Sequence, residues 1–243
     1  MRTHLVFNTI AVDTQTLGSA GTLTYFQEDM KHNSQSVTQP PEAPIVRWLF
    51  SNASFRSLII GAFVGKECRV VHGLSVADPI IQDRNKKPGD IDILLCSPEH
   101  AEQAIAIETK RVKVSLTNDG SQKVNKLNEL DEGIPQANGL QSLGFWKSYL
   151  MPIVVVDARA KKSPNTLLKY EVQDETRRIY EVPLQPALHH DVGVAYVEIV
   201  QPTGRSYNEQ VVVGICIDKP ACELQQPFDL TKRISTWLSH TNG

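Results

Sequence analysis

The sequence predicts an α/β fold, and three observations carry that prediction. Ile- and Val-rich runs bounded by turn formers recur in the middle of the chain: "CRVVHGLSV" (68–76), "GDIDILLC" (89–96), "AIAIETKR" (104–111) and "MPIVVVDAR" (151–159). Their length and β-branched content are those of strands. Helix-forming segments with start signals stand before the first run and between the third and fourth, so the order from residue 44 is helix, three strands, helix, strand. Helices interleaved with strands point to a sheet covered by helices.

Residues 5–26 predict two short strands about a Gly/Ser turn, and "QEDMKHNSQSVTQPPEAP" (27–44) is polar and without periodicity. Residues 1–43 are therefore expected to form an N-terminal hairpin and linker. The apolar groups "IVRWLF" and "FRSLIIGAFVG" flank "SNAS", a helix-start signal, which predicts helices over 44–51 and 54–64; the second also suits a strand. Residues 121–150 carry helix formers, with a fresh start at "GIPQANGLQSLGFWKSYL", where Pro135 suits a first helical turn because its missing N–H would be unpaired there anyway. A polar, basic insert over 160–190 precedes a hairpin, "GVAYVEIV" and "NEQVVVGICI" across "QPTGRS", and a final helix, "DLTKRISTWLS". The expected organisation is one domain over 44–243, with its core at 44–159 and a C-terminal extension of β-hairpin plus helix at 160–243.

With 243 residues, 41% hydrophobic and 21% charged, the composition is that of a globular protein with one main core. No window approaches the ~18–20 apolar residues of a membrane helix, and the N-terminus lacks a signal peptide's unbroken apolar stretch, so a cytoplasmic location without a membrane partner is expected. The four cysteines, Cys68, Cys96, Cys216 and Cys222, form no CxxC pair, which favours reduced thiols over a structural zinc site. A net charge of −2 gives no global polyanion signature, although basic residues gather at Arg84, Lys86 and Lys87, at Lys110, Arg111 and Lys113, and at Lys161 and Lys162.

The acids inside two strand-like runs demand a partner. An ionised carboxylate taken out of water alone costs several kcal/mol or more, so such acids are neutralised, paired or bound to metal. Side chains alternate faces along a strand, which puts Asp90 with Asp92, and Glu108 with Lys110. The short "SPEHAEQ" connection favours pairing of the two strands, and three carboxylates and an ammonium then converge on one patch. A hard divalent ion between the acids would relieve their repulsion, and the lysine could meet charge that develops on a phosphate.

"GDIDILL", the Glu108-Thr109-Lys110 triplet ending an apolar strand, and the helix and strand that follow resemble the PD-(D/E)XK nucleases over residues 44–157. The resemblance implies a restriction-endonuclease-like core, a mixed sheet flanked by helices, and metal-dependent phosphodiester hydrolysis by a DNA endonuclease of restriction, repair or mobile-element defence type. It also implies Mg²⁺ (or Mn²⁺) as cofactor, nucleic acid, in the first place DNA, as partner, and leaves open a homodimer. Asp92 and Glu108 would bind the metal with the backbone carbonyl of Thr109, and Lys110 would be the catalytic lysine. Gly89 stands where the family often has proline; Asp92 is favoured over Asp90 as the ligand because it lies deeper in the strand, with Asp90 as an outer ligand. Gln136 is the candidate on the following helix, with Gln141 behind it. A first-helix Glu, Glu42 or Glu67, falls inside neither expected helix. The alternative is a catalytically silent binding module of the same fold, yet a silent relative would commonly have lost one of Asp, Glu and Lys, and all three are present.

Other motifs take plainer readings. His189-His190 is expected in a surface loop, since no acid or cysteine stands at a ligand-like spacing. Phe145, Trp146 and Tyr149 suit packing better than base stacking.

Overall fold

A computed structural model describes residues 8–12, 42–64, 69–82, 88–117, 119, 121–157, 172–201 and 211–241. The strands are β1 (Asn8–Val12), β2 (Val71–Val76), β3 (Ile91–Ser97), β4 (His100–Leu116), β5 (Gln122–Asn125), β6 (Lys147–Asp157), β7 (Gly193–Gln201) and β8 (Val211–Lys219). The helices are α1 (Glu42–Ser51), α2 (Ala53–Val64), α3 (Asn128–Leu143), α4 (Asp174–Tyr180) and α5 (Phe228–Thr241). Seven strands form one open mixed sheet in the order β1-β8-β7-β6-β4-β3-β2, and β5 pairs with the far end of β4.

β6 lies between parallel neighbours β4 and β7. It is buried along nearly its whole length, which is why "YLMPIVVV" shows no polar alternation. Its ladder to β7 skips Met151 and Pro152, where proline has no N–H to give. α1 and α2 cover one face, with Leu49, Phe55 and Ile59 packed on Ile93, Ile105, Ile107 and Met151. α3, α4 and α5 cover the other, through Leu130, Ile134, Ile179, Leu230 and Ile234. Burying a side chain of this size contributes roughly 1.5–3 kcal/mol.

The order from α1 onward has the expected helices and strands, with three departures besides the boundaries: β5 and the first residues of β6 lie in the segment 121–150 expected to be helical, and α4 lies in the expected polar insert. α1 begins at Glu42, two residues before the expected start. β4 runs to Leu116, past "AIAIETKR", because Val112, Val114 and Leu116 keep the alternation and pack under α3. α3 starts at Asn128, so Pro135 sits inside the helix rather than in its first turn. Glu129 and Asp131 favour the earlier start, where the exposed N–H groups welcome negative charge. α3 closes at Gly144, whose φ of 86° is a left-handed conformation that favours glycine. The expected C-terminal extension supplies β7 and β8, which are integral to the sheet, and β1, within the expected N-terminal hairpin, runs antiparallel to β8. Among the described residues no helix is long and apolar enough to cross a membrane.

Candidate active site

One edge of β4 is left open in mid-strand. β6 follows β4 from Ile105 to Ser115, while on the opposite edge β3 pairs only as far as Ile93 with Ile107, and β5 takes over at Lys113. Between them lies a notch with no strand among the described residues. Backbone N–H groups of alternate residues point to the same edge, so those of Thr109 and Arg111 open onto it and need acceptors. Two acids supply them: Thr109 N donates to Asp92 Oδ2 at 2.7 Å, and Arg111 N donates to Glu42 Oε2 at 2.8 Å. The Thr109 hydroxyl also donates to Asp92 Oδ2, at 3.0 Å.

The notch lets both faces of the sheet contribute. Glu42, the first residue of α1, arrives from one face. Glu108 and Lys110 lie on the other, where the Lys110 stem passes beneath Gly133 of α3. Lys110 Nζ donates to Glu108 Oε1 at 2.6 Å and stands 3.9 Å from Glu42 Oε1. Glu108 is buried, and its neighbour Thr109 is fully buried. Asp92 and Thr109 also line a cavity of about 330 Å³ with Ala43, Val46, Arg47, Leu74 and Ser75. Ser75 falls between the pairs Leu74 with Ile93 and Val76 with Ile91, which sets it opposite Asp92. Its φ of 52° is a conformation that costs a non-glycine residue about 1–2 kcal/mol.

Crowding distorts the titration of all four groups. Burial pushes Glu108 up to about 8, with the Asp92 charge adding to it, and Lys110 opposes the shift without cancelling it. Burial likewise pushes Glu42 up to about 7 against the attraction of Lys110. Asp92 is raised by burial and, more weakly, by Asp90, while the Thr109 N–H lowers it. For Lys110 burial acts downward, but the Glu108 and Glu42 carboxylates outweigh it and hold the ammonium above its ordinary value. Three carboxyl groups around one ammonium would carry a net charge of −2 if all were ionised, an excess that the free protein relieves by holding the Glu108 and Glu42 protons well above their ordinary range.

Asp92, Glu108, Thr109 and Lys110 are thus brought together. Asp90 stands one residue before β3, half-buried, and reaches Asp92 through its charge. Gln136 is half-buried on α3, one turn beyond Gly133; no hydrogen bond joins it to the acids among the described residues, and Gln141 lies more than a turn further along. The expectation that neither candidate glutamate falls in a first helix is corrected for Glu42, which is both in α1 and in the notch. An acid followed two residues later by Pro44 is a helix-start pattern, and that was the available signal. Glu67, Arg84, Lys86, Lys87, Lys161 and Lys162 lie outside the described residues. Arg47, exposed at the cavity, was not singled out in the sequence. Phe145 and Tyr149 are in the core, and Trp146 packs against it.

Comparison with family models, with curated proteins and with solved structures returns no match.

Gly133 gives the site its first test. A Cβ there would meet Lys110 Cγ at 2.6 Å and Leu150 Cδ1 at 2.9 Å, and Leu150 is fully buried. Gly133→Ala should force the lysine stem aside and cost about 1–3 kcal/mol of overpacking strain, partly offset by the better helix propensity of alanine. Thermal unfolding measures the cost. A variant as stable as the parent would contradict the close contact between α3 and Lys110.

Proposed function

We propose that the chain is a metal-dependent nuclease of the PD-(D/E)XK kind, with a restriction-endonuclease-like core, that hydrolyses phosphodiester bonds in nucleic acid, DNA in the first place. The observation that carries the reading is the notch in β4, where three carboxyl groups crowd around one lysine and their full ionisation would leave an excess of two negative charges. A divalent cation fits that excess. Each acid commits an oxygen to the protein: Asp92 Oδ2 to Thr109, Glu108 Oε1 to Lys110 and Glu42 Oε2 to Arg111. The remaining oxygens of Asp92 and Glu108, with the Thr109 carbonyl on the same open edge, are the donors that would hold Mg²⁺ or Mn²⁺, and Glu42 and Asp90 are further candidates.

When bound, the metal would polarise a phosphoryl oxygen and make water a better nucleophile. The residues of this chain do the positioning. Thr109 and Arg111 fix two of the acids through backbone N–H groups, which are harder to displace than side-chain partners. Glu108 aims the Lys110 ammonium at the notch, where it can meet negative charge that grows only as the phosphodiester is attacked. Arg47 at the cavity is suited to hold a neighbouring phosphate, since a guanidinium offers a planar fork of donors. A cytoplasmic place of work agrees with the absence of any long apolar segment in the sequence.

Calorimetric titration with Mg²⁺ or Mn²⁺ tests the reading. The parent should bind, and Asp92→Ala and Glu108→Ala should each weaken binding strongly. Unchanged affinity in both variants would remove the metal from the notch.

A further inference from the structure

A second group of metal-ligating side chains lies two strands away from the notch. His189 and His190 precede Asp191 in the turn that leads into β7, and ligand atoms of the three all fall within 4.8 Å of one another. His190 Nε2 is 3.3 Å from Asp191 Oδ1, and His189 Nδ1 is 3.6 Å from Asp191 Oδ2. With bonds of ~2.0–2.3 Å to a tetrahedral zinc ion, ligand atoms stand roughly 3.3–3.8 Å apart, and each imidazole nitrogen lies at that distance from one of the two Asp191 oxygens.

A fourth donor, outside that group of three but in contact with Asp191, comes from beyond β8. Cys222, just past β8, is a free, exposed thiol whose side chain hydrogen-bonds Asp191, and its backbone N–H donates to the Asp191 carbonyl at 3.0 Å. The turn is held from further sides as well: Asn138 of α3 donates to Ala187 O at 2.8 Å and accepts from His189 N at 2.9 Å, and Lys219 Nζ donates to His189 O at 3.3 Å. The backbone of the turn is therefore fixed, and the exposed side chains of His190 and Cys222 are left to turn onto an ion. Asp191 N lies 3.3 Å from His189 Nδ1, a weak hydrogen bond that an ion at that nitrogen would replace.

We infer that His189, His190, Asp191 and Cys222 form a binding site for a zinc-type divalent ion that clips the turn before β7 to the segment after β8. Two neutral imidazoles, one carboxylate and one thiolate balance the charge of such an ion, and the mixed N, O and S set favours zinc over magnesium. Loading the site releases the thiol proton to solvent as the metal–sulfur bond forms. The site is separate from the acids of β4 and does not rest on the nuclease reading.

The test uses the full chain stripped with EDTA and returned to excess Mg²⁺, a hard ion that competes poorly for imidazole and thiolate. Added Zn²⁺ should bind with a stoichiometry of one and, at about a hundredfold excess over Kd, raise Tm by roughly 5–10 °C. Co²⁺ in its place should give the absorption of a cobalt–thiolate bond. Cys222→Ser should abolish that absorption, and His190→Ala should weaken Zn²⁺ by more than the roughly 10–100-fold that loss of a merely supporting residue costs. Both side chains are exposed, so both variants should melt like the parent without metal. Absence of any Zn²⁺ effect on Tm, a cobalt–thiolate band that survives Cys222→Ser, or unchanged Zn²⁺ affinity in both variants would overturn the assignment.

Discussion

Lys110→Ala is expected to slow cleavage by about 10²–10³-fold under single-turnover conditions, the loss of one well-placed transition-state contact. The ammonium sits 2.6 Å from Glu108 and on the face of β4 that looks into the notch, so under the proposed nuclease reading it would meet the reacting phosphate rather than the distal parts of a substrate. Its loss should leave nucleic-acid affinity nearly intact and KM little changed if substrate dissociates faster than it reacts. Lys110→Arg should rescue poorly. The side chain runs beneath Gly133 with little room to spare, and a guanidinium is bulkier and practically unable to give up a proton. Cleavage by Lys110→Ala at the rate of the parent would place the lysine outside the chemistry, whereas absence of cleavage by the parent itself would favour the silent binding module.

The metal-free protein is expected to lose stability as the pH rises from 5 to 8. Glu108 and Glu42, at about 8 and about 7 in the folded chain, hold protons that the unfolded chain releases near 4.5. Their contribution is fully present below that ordinary value and is lost as the pH climbs through the folded ones. For Glu108 alone the upper limit is about 5 kcal/mol, and coupling to Lys110 and Asp92 reduces it. His72, lowered by burial and by Arg56, works in the opposite direction below neutrality, so the informative quantity is the difference between parent and Glu108→Gln. That difference should grow from pH 5 to pH 8 in EDTA, with the variant the more stable at the alkaline end. Saturating Mg²⁺ should remove the variant's advantage, because the ion stabilises only the ionised acids. Parallel stability profiles for parent and variant would mean that Glu108 titrates like an exposed carboxylate.

The acid-bearing strands were legible because their evidence is local. Strict alternation set Asp92 opposite Ile93, and Glu108 with Lys110 on one face, before any partner strand was known, although Ile91, expected beside Ile93, packs on the other face with Ile80 and Leu94. What joins them is not local. Arg111 N and Glu42 are 69 residues apart, and their hydrogen bond exists only because β3 stops short and β5 starts late along the same edge of β4. The same limit explains His189 and His190: Asp191 was adjacent, but Cys222 is 31 residues further on and reaches the turn through the β7–β8 pairing. Pro135 misled for a different reason, since a helix tolerates proline at an exposed interior position when packing on the opposite side, here Ile134, Ala137 and Leu140, supplies the stability.

The most direct test of the central claim is incubation of the purified parent with supercoiled plasmid in Mg²⁺ or Mn²⁺, and again with EDTA in excess. The account expects nicked or linear product with metal, none with EDTA, and none from Asp92→Ala or Glu108→Ala at equal concentration. Failure of the parent to cut DNA or RNA of any form with either metal, or cutting that persists in EDTA, would contradict it.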